Sequence, residues 1–285
     1  SGADGLIASC YSFARGWYGK EAGLGLSEMG TDVFYHGYDN KQKGLVTYNL
    51  TAESLEGNTS DNPCLDHYWE LFYHAVDVCN TALKYIPECA VLDESKRVRY
   101  EAEAYFLRAF YYFHIVNTWG DAPYYSEPAS GLISAPVRVA EEEIYGNILA
   151  DLDKAIASLA DRSKFNGQRI NKQVAYLFKS RVALFEATFE KYHKGSGRVP
   201  GDSNWPGASM AYNSGKSFNI EGEISFFLQE AMDAARAVAD GAVLTENTGV
   251  IEPGIGVMYG WNPYFEMYSQ PSLASVDEVL MWRQY

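Results

Sequence analysis

The chain has 285 residues, 47% of them hydrophobic, with 37 acidic against 23 basic side chains and a formal net charge of −14. At ~150 residues per domain, that length admits one large domain or two small ones with enough apolar material for a core. No Lys/Arg cluster is present to release counterions from phosphates, so nucleic acid is not an expected partner, and no run of ~18 apolar residues offers a transmembrane helix.

In chain order, a short helix is expected from about Leu6 to Tyr18, followed by a loop rich in Gly, Ser, Asn and aromatics over Gly25 to Asp61. A 3.6-residue period then places a helix from Leu65 to Ile86 on Leu65, Trp69, Phe72, Ala75 and Val76. His67, Glu70 and His74 share one face of it, but two histidines two turns apart are separated by ~10.5 Å along the axis, too far for one ion. They read as polar positions on a half-buried helix, and no metal is expected. The next helix, Glu94 to Trp119, carries Ala102, Tyr105, Phe106, Ala109, Phe113 and Val116 and is closed by Gly120 and Pro123. Ala140 to Leu159 follows, on Ile144, Ile148, Leu152, Ala155 and Ile156. Asn171 is an N-cap candidate for a helix running to Tyr192 through Val174, Leu177, Phe178, Leu184 and Phe185. After a loop at 195–217, Ile224 to Val238 forms the last long helix; after a second loop at 249–271, residues 279–282 read as a strand still in progress at Tyr285, as in a truncated product.

These helices come in pairs joined by short turns, which makes each pair an antiparallel hairpin. The expected fold is mainly α, in a single domain: tetratricopeptide-like hairpins stacked as a scaffold over about 64–240, with long irregular loops at about 25–62, 195–217 and 249–271. From the pattern alone, an irregular helical bundle remains an equal alternative. The loops hold a large share of the 22 tyrosines and the other aromatics, and long loops in compact domains are usually functional.

Catalytic signatures are missing from the sequence. No P-loop occurs, and Gly254-Ile-Gly256-Val-Met-Tyr-Gly260 has the wrong spacing for a dinucleotide fingerprint. No Gly-x-Ser-x-Gly elbow exists, and Cys10, Cys64, Cys79 and Cys89 form no Cys-x-x-Cys pair. Cys79 reads as a small hydrophobe on its helix, with a Cys79–Cys89 bridge left open. Glu141, Glu142, Glu143, Asp151 and Asp153 read as a solvated helix face and first-turn dipole partners. No catalytic residue, cofactor or metal is expected.

One stretch is more specific. Glu101-Ala-Glu-Ala-Tyr-Phe-Leu-Arg-Ala-Phe-Tyr-Tyr-Phe113 leads into Trp119-Gly-Asp-Ala-Pro123, and this resembles the A-x-x-L-R-A-x-Y-Y-F to W-G-D-x-P signature of SusD/RagB-type outer-membrane nutrient-binding lipoproteins of Bacteroidetes. Trp69-Glu-Leu-Phe-Tyr73 continuing to Asn80, Arg169-Ile-Asn-Lys172 continuing through Arg181 to Glu186, and Glu278 to Arg283 resemble further family segments in the family's order. In the motif itself Arg108 and Asp121 read as structural, paired across the hairpin, while Trp119 and Pro123 wedge the chain out of the helix.

The resemblance implies a SusD-like α-α superhelix that captures oligosaccharide at the cell surface, lipid-anchored on the extracellular face of the outer membrane. It also implies a TonB-dependent, SusC-like porin as partner. Ligands in that family stack on loop aromatics, part of which follow a Thr-Asp dipeptide. Here Thr31-Asp32 precedes Tyr35, His36, Tyr38 and Asn40, which makes these the first ligand candidates, with Tyr and His where the starch-binding relative has Trp. Trp205, Trp261 and Tyr264 are added from loop position. The competing readings are a protein-interaction scaffold whose loop aromatics only pack, and a helical glycosidase.

Overall fold

A computed structural model describes residues 2–14, 65–131 and 136–284. The chain divides into two compact units, Ser1–Arg138 and Val139–Tyr285.

In the first unit α1 (Gly2–Ser12) packs with α2 (Leu65–Tyr85) and α3 (Glu94–Trp119). The bounds of α3 match the periodicity because both ends carry local signals. The Asp93 carboxylate accepts the Lys96 amide at 2.8 Å, and Gly120, at φ +66°, closes the last turn onto the Val116 carbonyl at 2.8 Å. Trp69 meets Trp119, Phe72 stacks on His114 and Asn80 bonds Arg108. Numbers rise along α2 as they fall along α3, so the pair is an antiparallel hairpin. The core is aromatic: Phe72, Tyr111 and Tyr112 are fully buried, each worth roughly 2–3 kcal/mol relative to exposure. Ala102, Ala104 and Ala109 of α3 are buried as well.

Beyond Gly120 lie β1 (Ala122–Pro123) and its two-residue partner β2 (Arg138–Val139), with the Arg138 guanidinium donating to the Asp121 carbonyl. Arg108 is structural, and its partners include the Asn80 side-chain oxygen at 2.8 Å and the Ser126 carbonyl at 3.2 Å. Asn80 in turn donates to the carbonyls of Tyr125 and Glu127, and the Tyr73 hydroxyl donates to that of Pro123 at 2.7 Å. The segment after Trp119 is thereby stitched onto α2. Cys79 and Cys89 are unbridged thiols. Cys79 packs in the helical core while Cys89 sits on the half-exposed turn that follows.

The second unit holds α4 (Glu141–Ser158), a 3-10 turn at Arg162–Phe165, α5 (Lys172–His193), 3-10 turns at Pro206–Ser209 and Ala211–Asn213, α6 (Ile220–Ala239) and the short α7 (Pro263–Met267). Helix α5 is central. Its Lys179 reaches Asp153 of α4 at 2.7 Å and Glu230 of α6 at 2.6 Å. Burial opposes that charge, but the two carboxylates prevail and raise its pKa. Asn171 caps α5 as expected, accepting the Val174 amide at 3.1 Å. The last long helix starts at Ile220, four residues before the expected Ile224, because Asn219 caps it and accepts the Gly222 amide.

Three expectations fail here. The buried face of α5 is Ala175, Lys179, Val182, Ala183, Glu186, Ala187 and Glu190, whereas Leu177, Leu184 and Phe185 are exposed. Two helices flank α5 closely, and close approach favours alanine over leucine. Glu141 and Asp151 are buried rather than solvated. Residues 279–282 form no strand. Their backbone is held instead by side chains and a turn: Arg162 bonds the Val279 carbonyl, Asn171 bonds that of Leu280, and the Trp282 amide reaches the Gly167 carbonyl at 2.9 Å.

Candidate functional site

The best-formed candidate lies in the 249–271 loop. Asn262 opens α7 by accepting the Phe265 amide, with Pro263 supplying a preset first-turn φ. The Asn262 amide also donates to Asn247 at 3.1 Å and to the Val250 carbonyl at 3.0 Å. Glu266 folds back onto the Gly260 and Trp261 amides at 2.6 and 3.2 Å, with Gly260 at φ +84° where a side chain would be strained. Met267 is buried and anchors the turn. The backbone is thus pinned while the aromatic side chains point outward.

Two ring pairs result. Tyr264 and Tyr268, four residues apart, meet edge to face at 5.6 Å with hydroxyls 3.3 Å apart. Trp261 and Phe265 meet at 4.9 Å. Tyr264 is 40% and Tyr268 72% exposed, and Tyr259 beside them is exposed as well. The hydrogen bond to Tyr264 raises the Tyr268 pKa, so the Tyr268 phenol stays neutral and able both to donate and to accept. Flat apolar faces edged with hydroxyls can stack on a sugar ring and bond its rim.

Of the sequence candidates, Trp261 and Tyr264 sit together in this cluster. Tyr268 is absent from those candidates, although Asn262-Pro263 as a helix start followed by tyrosines at i and i+4 is a readable signal. Trp205 lies elsewhere and only 7% of it is exposed. Its ring packs over Gly207, where a Cβ would collide with it, and edge-on against Phe218 at 5.2 Å. It is the core of the 195–217 loop. Tyr35, His36, Tyr38 and Asn40 lie outside the described residues.

In the first unit a cavity of about 500 Å³ opens between α2 and residues 124–130. Tyr73, Asp77, Asn80, Tyr124 and Tyr125 contribute to its wall, and its size falls within the ~300–1,000 Å³ range of small-molecule sites. Much of its polar surface is committed, since Asn80 bonds the overlying carbonyls and Asp77 accepts the Ala129 amide at 2.7 Å. Among the described residues, no group of three or more His, Cys, Asp or Glu side chains is arranged to hold a metal ion.

Residues 25–184 match a SusD-like family model described as starch-binding and associating with the outer membrane. A SusD-like protein of Formosa agariphila is 27% identical over 177 residues, covering 57% of this chain and 33% of that protein. A solved laminarin-binding SusD-like protein superposes with a TM-score of 0.58 at 20% identity, over 86% of this chain and 44% of its own. A structure determined with xylogluco-oligosaccharide gives 0.57 at 21%, over 86% and 42%. At these identities the structures speak to the fold, and the match spans about a third of the length of that curated relative. With more than half of its residues matched by the family model, the chain belongs to the SusD-like family, described as starch-binding and associating with the outer membrane.

Proposed function

We propose that this chain is the surface glycan-binding component of a TonB-dependent oligosaccharide uptake system, with a SusC-like porin as partner and no catalysis of its own. The observation that carries the reading is the pinned loop that presents Tyr264 and Tyr268 outward beside Trp261. Family membership supports it, as do fold neighbours whose descriptions name laminarin and a xylogluco-oligosaccharide. Tyr35, His36, Tyr38 and Asn40 complete the proposed ligand set. Lipid anchoring on the extracellular face is part of the same proposal.

Calorimetric titration with laminarin, xyloglucan and starch oligosaccharides tests it. Heat is expected with at least one of them, weakened about tenfold when Tyr264 and Tyr268 are both changed to Ala, as two lost ring contacts imply. No heat with any of the three would sink the reading for this chain.

The exposed Leu177, Leu184, Phe185 and Tyr192 on α5 favour a second reading, a protein-interaction scaffold. Changing Leu177 and Leu184 to Glu separates the two, because glycan heat survives it and partner capture does not.

A further inference from the structure

Five glutamates meet where α4, α5 and α6 pack together. Glu141 and Glu142 come from the first turn of α4, Glu186 and Glu190 stand one turn apart on α5, and Glu223 belongs to the start of α6. Glu186 and Glu190 have no exposed surface, and none of their four carboxylate oxygens is met by a conventional hydrogen-bond donor. A charge held there would lack both water and donors. Glu223 spends one oxygen on its own helix start, accepting the Asn219 amide at 2.8 Å, while its other oxygen is buried without a donor. After burial, Glu223 is the group that acts most strongly on both Glu142 and Glu190. Acidic groups gathered away from water and without donors are held at least cost when they keep their protons.

Two further side chains face the cluster. Tyr145 of α4 faces it with a phenol that burial, then Glu186, Glu141 and Glu190, keep neutral. Lys216 faces Glu142 from the loop before α6, but it is paired with Glu143. Among the described residues, no group of three or more His, Cys, Asp or Glu side chains is arranged to hold a metal ion.

We propose that the cluster is a proton-sharing junction, in which carboxyl protons tie α4, α5 and α6 together and whose loss as pH rises loosens the three helices. Burial, then Glu223, raises Glu190 to about 9; burial, then Glu223 and Glu143, raises Glu142 to about 7 against the pull of Lys216. Glu186 is pushed well above the carboxylate range by burial, then by Glu141 and Glu190. Each folded pKa lies above its unfolded value of ~4.3. The folded chain therefore holds protons that the unfolded chain has lost, and the stabilisation is complete below that value and fades as pH climbs through 7 toward 9.

This inference is independent of glycan binding, and the test needs no sugar. Thermal unfolding and hydrogen exchange of α4–α6 peptides are measured on the full chain at pH 6 and pH 8.5, with EDTA or with calcium. Expected is a melting temperature several degrees lower at pH 8.5, with loss of protection, after correction for the intrinsic pH dependence of exchange, confined to those helices. Glu186→Gln and Glu190→Gln, which mimic the neutral carboxyl, should each raise melting at pH 8.5 and flatten the pH slope. If Glu186→Gln fails to fold, Glu190→Gln decides. A pH-independent melting temperature, a slope unchanged in Glu190→Gln, or calcium-dependent stabilisation that the Gln change abolishes would each overturn the proposal, the last by assigning the cluster to a cation.

Discussion

In the unit ending at Arg138 the buried guanidinium of Arg108 finds the Asn80 side chain and the Ser126 carbonyl, and Asn80 passes the bonding on to two further carbonyls. In the unit beginning at Val139 the equally buried Glu186 and Glu190 find no N–H or hydroxyl donor. The difference follows from what helices leave over. A helix consumes its interior N–H groups, but each carbonyl keeps a second lone pair, and loops add more. A buried cation therefore meets acceptors readily, whereas a buried carboxylate between helices meets few donors. Arginine keeps its charge in such a place and glutamate gives its charge up.

That contrast can be broken deliberately. The largest effect is expected from Arg108→Met, which strands the Asn80 oxygen and the Ser126 carbonyl and should cost about 3 kcal/mol in urea unfolding. Next comes Arg162→Ala: it takes the donor away from five acceptors in the 273–279 segment and should cost about 2 kcal/mol, with limited proteolysis cutting there first. Moving from pH 6 to pH 8.5 should then lower protection in α4–α6 while leaving α2 and α3 unchanged, read by hydrogen exchange. Burial raises the pKa of Tyr73, Tyr111 and Tyr112 far above the working range, so these tyrosines are neutral both folded and unfolded and add no such dependence. The smallest change in stability, within about 0.5 kcal/mol, is expected for Tyr264→Ala because its ring is partly exposed. Its effect should fall on glycan titration instead.

The helices are legible because their ends are written locally. Asp93, Gly120 and Asn171 fix boundaries without reference to the rest of the chain. The faces are less legible, as α5 shows: Leu177 and Leu184 form the obvious apolar stripe, yet alanines and two glutamates face the neighbours. Nothing within α5 states that helices flank it closely on both sides. The site divides in the same way. Trp205 and Trp261 look alike as loop tryptophans, but Gly207 and Phe218 make a socket for the first. Asn262 and Glu266 instead brace the backbone around the second and leave neighbouring rings outside. Sockets and braces are set by contacts across several residues of loop, which residue type alone does not encode.

Arg162 has a wider consequence. Four of its five bonds end on backbone carbonyls, those of Leu273, Ala274, Val276 and Val279, a feature every amino acid possesses. The guanidinium therefore recognises the path of that segment and hardly its spelling. Substitutions along residues 273–276 should leave these bonds in place so long as Arg162 remains, and this stretch can diversify while its course stays the same, whereas Glu278 is tied by its side chain to the Thr245 amide.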